Sequence, residues 1–124
     1  MARTIHIQDS IAFALLPNGR SARLLEPFRA WIDDHVIVVP AGFETDFASV
    51  PRIFWRVIPP WGRYARAAIV HDYLYASHIV GRKEADKIFL ALMRALGVPW
   101  RTRTTMYWAV RLGGGRAWEK AKKS

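Results

Sequence analysis

Residues 65–89, ARAAIVHDYLYASHIVGRKEADKIF, decide how this chain folds. From about Arg63 to Ser77 the apolar residues Ala65, Ala67, Ala68, Ile69, Val70, Tyr73, Leu74 and Ala76 fall on nearly every side of the axis, which predicts a helix buried on most of its faces. Val80-Gly81 makes a turn. Arg82 to Leu96 then carries Ala85, Ile88, Phe89, Leu92, Met93 and Leu96 on one stripe, the pattern of an amphipathic helix. So short a connection makes the two helices antiparallel. The midpoint between His71 and Asp86 falls close to its centre, so the two side chains lie at nearly the same level and are placed to touch.

A buried polar group costs about 1–3 kcal/mol when left unpaired, and a buried charge costs more, so His71, Asp72 and Asp86 must serve one another, a ligand or a metal. At about 100° per residue, His71, Tyr75 and His78 share one face of their helix, Asp72 points about 100° away, and Asp86 flanks the second helix's apolar stripe. A carboxylate that accepts from one imidazole nitrogen leaves the other as a general base or metal ligand. Asp72 is expected to turn toward the loop holding Thr45, Asp46 and Ser49. Asp46 and Asp72 offer oxygen ligands to a hard cation such as calcium, and His71 with either acid can begin a zinc site.

Plainer roles stand beside these. The His-Asp pair can be a structural hydrogen bond tying a helix to its neighbour, Asp46 or Ser49 can cap a short helix, and Asp86 can pair on the surface with Arg82 four residues earlier. His6, His35 and His78 have no supporting neighbours. A Ser49 nucleophile would want a G-x-S-x-G elbow, and none is present.

On the N-terminal side, Thr4–Ile7, Ile11–Leu16, Phe28–Ile32 and His35–Val39 read as strands, with a brief resumption at Phe43-Glu44-Thr45. Pro17-Asn18-Gly19 signals a turn, and Asp33-Asp34 a two-residue hairpin loop. Residues 45–60 predict a short helix stopped by Pro59-Pro60, with Pro51 in its first turn. On the C-terminal side, Gly97-Val98-Pro99 closes the second helix, a shorter one runs over about 102–112, and RAWEKAKKS is a basic, frayed tail. The fold class is α+β: a small antiparallel sheet packed on three or four helices.

The chain has 124 residues, enough for one domain with a real core, and no cysteine, which excludes disulfides, thiolate zinc sites and cysteine nucleophiles. It shows neither the apolar region of a signal peptide nor the roughly 20-residue run of a transmembrane helix. Of 19 Lys and Arg, six lie in residues 1–61 against six acids, and thirteen in residues 62–124 against four. The net charge of +9 therefore belongs to the second half; such a field attracts an anionic membrane surface or nucleic acid, and equally it can simply keep a small protein in solution. Six tryptophans suit either partner, and suit a core equally.

PAGFETDFASVPR (40–52), AAIVHDYLY (67–75), EADKIF (84–89) and MYWAVRLGG (106–114) together resemble a phage and prophage family known only as domain of unknown function 1353. That resemblance implies a virus-encoded protein, in host cytoplasm or virion, with other virion proteins as partners, and no particular activity. HDYLY followed by an acid on the next antiparallel helix is also similar to the helical core of secreted phospholipases A2. By position, this second resemblance implies His71 as the base activating water, Asp86 as its orienting partner and Asp72 as a calcium ligand. The chain departs from those enzymes in lacking a glycine-rich calcium loop and cysteines, and in its strand-rich first half. The expected function is a phage-encoded hydrolase of phospholipid or cell envelope. The alternative is a non-catalytic phage protein in which the same residues are structural.

Overall fold

The computed structural model describes residues 4–19, 21–46 and 64–123. These divide at Asp46 into two compact units. Among the described residues the first carries strands and the second helices, so the chain is α+β. The helix expected over 45–60, with Ser49 and Pro51, lies outside the described residues save for its first positions.

The first unit holds two antiparallel three-stranded sheets rather than one. In one sheet β1 (Ile5–Ile7) pairs with β4 (Phe28–Ile32), which pairs with β5 (His35–Val39). Strand β4 shows why: Phe28, Ala30 and Ile32 are buried while Arg29 and Trp31 face out, the period-2 alternation of a half-buried strand. The loop is Asp33-Asp34, with Asp33 in the left-handed region at φ 54°, a conformation that Asp tolerates better than most residues. Asp33 also ties β1 to the hairpin. Its carboxylate accepts from the Thr4 N–H at 3.0 Å, and its own N–H donates to the Thr4 carbonyl at 2.7 Å.

In the other sheet β3 (Ala22–Leu24) lies between β2 (Phe13–Leu15) and β6 (Glu44–Thr45). Asn18 builds the β2–β3 turn by accepting from the Ser21 N–H at 2.9 Å, with Gly19 at φ 74°. Strand β3 is absent from the sequence reading because three residues around an exposed Arg23 are too few to show a period. Pro27, which has no N–H to give a ladder and disfavours helix before it, separates β3 from β4. The strands on either side of it consequently join different sheets.

The second unit comprises α1 (Ala65–Ser77), α2 (Arg82–Ala95), α3 (Trp100–Gly113) and α4 (Gly115–Lys123). Helix α1 buries nine residues around its circumference, as an apolar helix must. It ends at His78, whose N–H donates to the Leu74 carbonyl at 3.0 Å from a left-handed conformation, φ 54°. Helix α2 ends at Gly97, φ 80°. There the Val98 N–H reaches the Met93 carbonyl at 3.0 Å and the Gly97 N–H reaches that of Arg94 at 3.1 Å, the paired bonds of a glycine C-cap. The RAWEKAKKS tail, expected to fray, is mostly helical. Trp118 anchors it, stacking on His78 with ring centroids 3.7 Å apart and planes 4° from parallel. His78 thus has a neighbour that its own surroundings in the sequence did not disclose. Among the described residues no helix is long and apolar enough to cross a membrane.

Candidate functional site

Asp86 is the centre of the second unit's chemistry. Its residue is fully buried, and it lies within the α2 stripe of Ala85, Ile88, Phe89, Leu92 and Met93 rather than on the flank. An ionised carboxylate survives there only if donors replace the water it has lost. Three side chains do so. His71 Nε2 donates to Oδ1 at 2.7 Å, the Tyr75 hydroxyl donates to the same oxygen at 2.6 Å, and Arg111 Nη1 donates to Oδ2 at 2.8 Å. His71 and Tyr75 reach one oxygen because residues four apart on α1 stand one turn above each other.

The donors are themselves held. Arg82 Nε donates to the Tyr75 hydroxyl at 3.3 Å, and its Nη2 donates to the carbonyls of Val110 and Arg111 at 2.9 and 2.7 Å. The first residue of α2 thereby closes the last turn of α3, where the negative end of the helix dipole favours a cation. The His71 ring stacks on Phe89 at 4.5 Å and meets Tyr75 at 4.4 Å. Gly114 lets α3 end against Tyr75: a Cβ there would lie 2.5 Å from the Val110 carbonyl oxygen and 2.7 Å from the Tyr75 hydroxyl.

Burial holds the His71 ring below its ordinary value of 6.5, against the pull of Asp86 in the other direction. Burial alone would raise Asp86, but the hydrogen bonds from His71, Tyr75 and Arg111 outweigh it and hold the carboxyl below its ordinary 3.8. Burial and the Asp86 charge push Tyr75 well above its ordinary 10.0, so it stays a hydroxyl donor, and the Asp86 bond raises Arg111. At neutral pH the site is a neutral imidazole facing a carboxylate. Since Nε2 donates its hydrogen to Asp86, Nδ1 carries the ring's basic lone pair.

These shifts act on stability in one direction. A depressed histidine binds protons more readily unfolded than folded, so its contribution is lost as pH falls below 6.5; the depressed Asp86 contribution is lost below 3.8. Melting temperature is therefore expected to decline in two stages on acidification from about pH 8, the first attributable to His71. Thermal melts across that range check it, and a profile flat down to the carboxylate range would rule out a buried neutral His71.

Of the other predicted site residues, Asp72 is buried, at 8% exposure, and partnered. Thr45 and Asp46 belong to the first unit, and Ser49 lies outside the described residues. Among the described residues no three His, Asp or Glu side chains are grouped to hold a metal ion. The surface pairing of Asp86 with Arg82 gives way to burial: Arg82 turns to Tyr75 and the α3 carbonyls, and Arg111 supplies the countercharge. Sequence reasoning missed Arg82, Arg111 and Gly114 as site residues. The available signal was that a carboxylate on a buried stripe needs a cation, and that an arginine ending the next helix can reach it.

A family model described as protein of unknown function, DUF1353, matches residues 22–110. The uncharacterized protein y4jT of Sinorhizobium fredii is 39% identical over 74 residues, which cover 58% of this chain and 22% of that protein. The chain thus spans about a fifth of the length of the curated relative it matches. No solved structure matches it.

Proposed function

We propose that this chain, which belongs to the DUF1353 family of proteins of unknown function, is a hydrolase with His71 as its general base. One observation carries the reading: the neutral His71 ring gives Nε2 to a carboxylate that two further donors hold in place, the arrangement that orients a catalytic imidazole. In such a reaction the neutral imidazole removes a proton from water, the oxygen attacks an ester carbon or phosphorus, and Asp86 stabilises the imidazolium. The imidazolium then returns its proton to the departing alcohol oxygen. Tyr75 and Arg111 keep Asp86 from turning, and Arg82 keeps Tyr75 in place. The similarity to phospholipases A2 in the HDYLY helix supports a phospholipid or cell-envelope ester as substrate. The phage-like motif pattern supports a role in infection.

The complete burial of His71 and Asp86 favours a second reading, in which the pair is a polar clasp and the chain is a non-catalytic phage accessory protein. His71→Gln separates the two. A glutamine amide can still donate to Asp86 but cannot act as a base. The hydrolase reading expects turnover of phospholipid or ester substrates to fall by about 10²–10⁴, the usual worth of a general base, in a variant that remains folded. A parent chain without turnover on such substrates, or a glutamine variant as active as the parent, would establish the clasp instead.

A further inference from the structure

The outward side of α3 takes no part in the network around Asp86. Trp100, Thr104, Trp108 and Leu112 recur every four residues and form a single ridge, about 18 Å long at 1.5 Å per residue. Trp100 is 62% exposed, Trp108 55% and Leu112 84%, while the helix packs inward through Met106, Ala109 and Val110. Apolar residues scattered singly over a surface are ordinary, but three large ones along one ridge mark a contact site. The segment that carries the ridge is cationic: residues 100–123 hold seven Lys or Arg against Glu119 alone. Arg111 and Arg103 are turned inward, to Asp86 and to the Val98 carbonyl at 2.9 Å. Arg101, Arg116 and Lys120 face solvent.

We propose that this ridge docks the chain on an anionic phospholipid surface, with Trp100, Trp108 and Leu112 entering the boundary between headgroups and acyl chains. The exposed cations remain at headgroup level. Tryptophan rings favour that boundary, leucine favours the acyl side, and lysine and arginine are drawn to anionic headgroups, so each residue type sits in its preferred layer. Nucleic acid fits the ridge less well. It rewards flat rings and cations along a backbone. Leu112, the most exposed of the ridge, offers nothing to a base or a phosphate, and the Trp100 ring already has the Arg101 guanidinium 5.6 Å from its centre. The ridge shares no residue with the His71–Asp86 pair, so docking and hydrolysis can fail separately.

Co-sedimentation of the full chain with vesicles tests the docking without any turnover. Binding to equimolar phosphatidylcholine and phosphatidylglycerol is expected to exceed binding to phosphatidylcholine alone by about tenfold or more, given the charge of this segment. The Trp108→Ser, Leu112→Ser double variant is expected to lose at least about tenfold of that binding through its lost apolar insertion, with an unchanged melting temperature. Should the double variant be less stable, Leu112→Ser alone, at a position 84% exposed, must move binding in the same direction. Equal binding of parent and double variant would overturn the proposal, as would equal binding to the two vesicle types. So would tighter binding to short duplex DNA than to the mixed vesicles, lost in the same variant.

Discussion

Asp86→Ala is expected to lower the stability of the folded chain by about 3–5 kcal/mol, the usual cost of removing one member of a buried, hydrogen-bonded charge cluster. The loss is large because one deletion strands three donors. His71 is wholly buried and Tyr75 nearly so, and neither can turn to water for a replacement, while Arg111 keeps its charge at a side chain only 24% exposed. For a chain of this size, melting should fall by roughly 10–20 °C. Asp86→Asn should cost less. Its amide oxygen can still accept from His71 and Tyr75, but its NH₂ group then confronts Arg111 with a donor where an acceptor stood, at the 2.8 Å now spanned by a hydrogen bond. Denaturant unfolding of parent and both variants gives the order parent, Asn, Ala. Two variants within a few tenths of a kcal/mol of the parent would mean that the carboxylate is far more hydrated than its burial implies.

Gly114→Ala is the second large effect, about 1–3 kcal/mol, and it reaches the site from outside. The added methyl meets a backbone oxygen at 2.5 Å and the Tyr75 hydroxyl at 2.7 Å. Both distances are well inside contact, and a backbone carbonyl has little room to retreat. Tyr75 gives way first, so the substitution weakens the 2.6 Å bond to Asp86 as well as straining the end of α3. A double-mutant cycle isolates that route. In a Tyr75→Phe background, where the hydroxyl is gone, Gly114→Ala should cost less than in the parent, leaving a coupling of roughly 0.5–3 kcal/mol. Strict additivity would confine the strain to the Val110 carbonyl and remove Gly114 from the site.

How much of this was legible in the sequence differed from element to element. The β4–β5 hairpin was readable to the residue, because Asp33-Asp34 interrupts two runs whose alternation fixes the buried face. Helix α2 was readable from its stripe. The approach of His71 to Asp86 followed from a short connection and equal distances to it. Strand β3 left no trace, being too short for any period and stabilised by pairing with β2 and β6, which are distant in the chain. Arg111 and Arg82 were hidden by abundance: among 19 Lys and Arg, nothing local marks which of them turn inward. Gly114 was hidden by its neighbours, since three consecutive glycines read as a loose joint and only the packing shows that one lies against a phenol. Trp118 converted a tail of basic helix formers into α4, because an aromatic with a partner fixes what propensity alone leaves marginal.

The three donors that meet on Asp86 lie 11, 15 and 25 residues from it along the chain. The closures they impose are therefore short, and their entropic costs differ by less than about 1 kcal/mol. Among the described residues, every side chain that donates to the carboxylate comes from nearby in the sequence. In kinetic terms, contacts this local are the kind that helical topologies close quickly. The charge that would otherwise be the chief obstacle to collapse is escorted inward by its own neighbours in the chain.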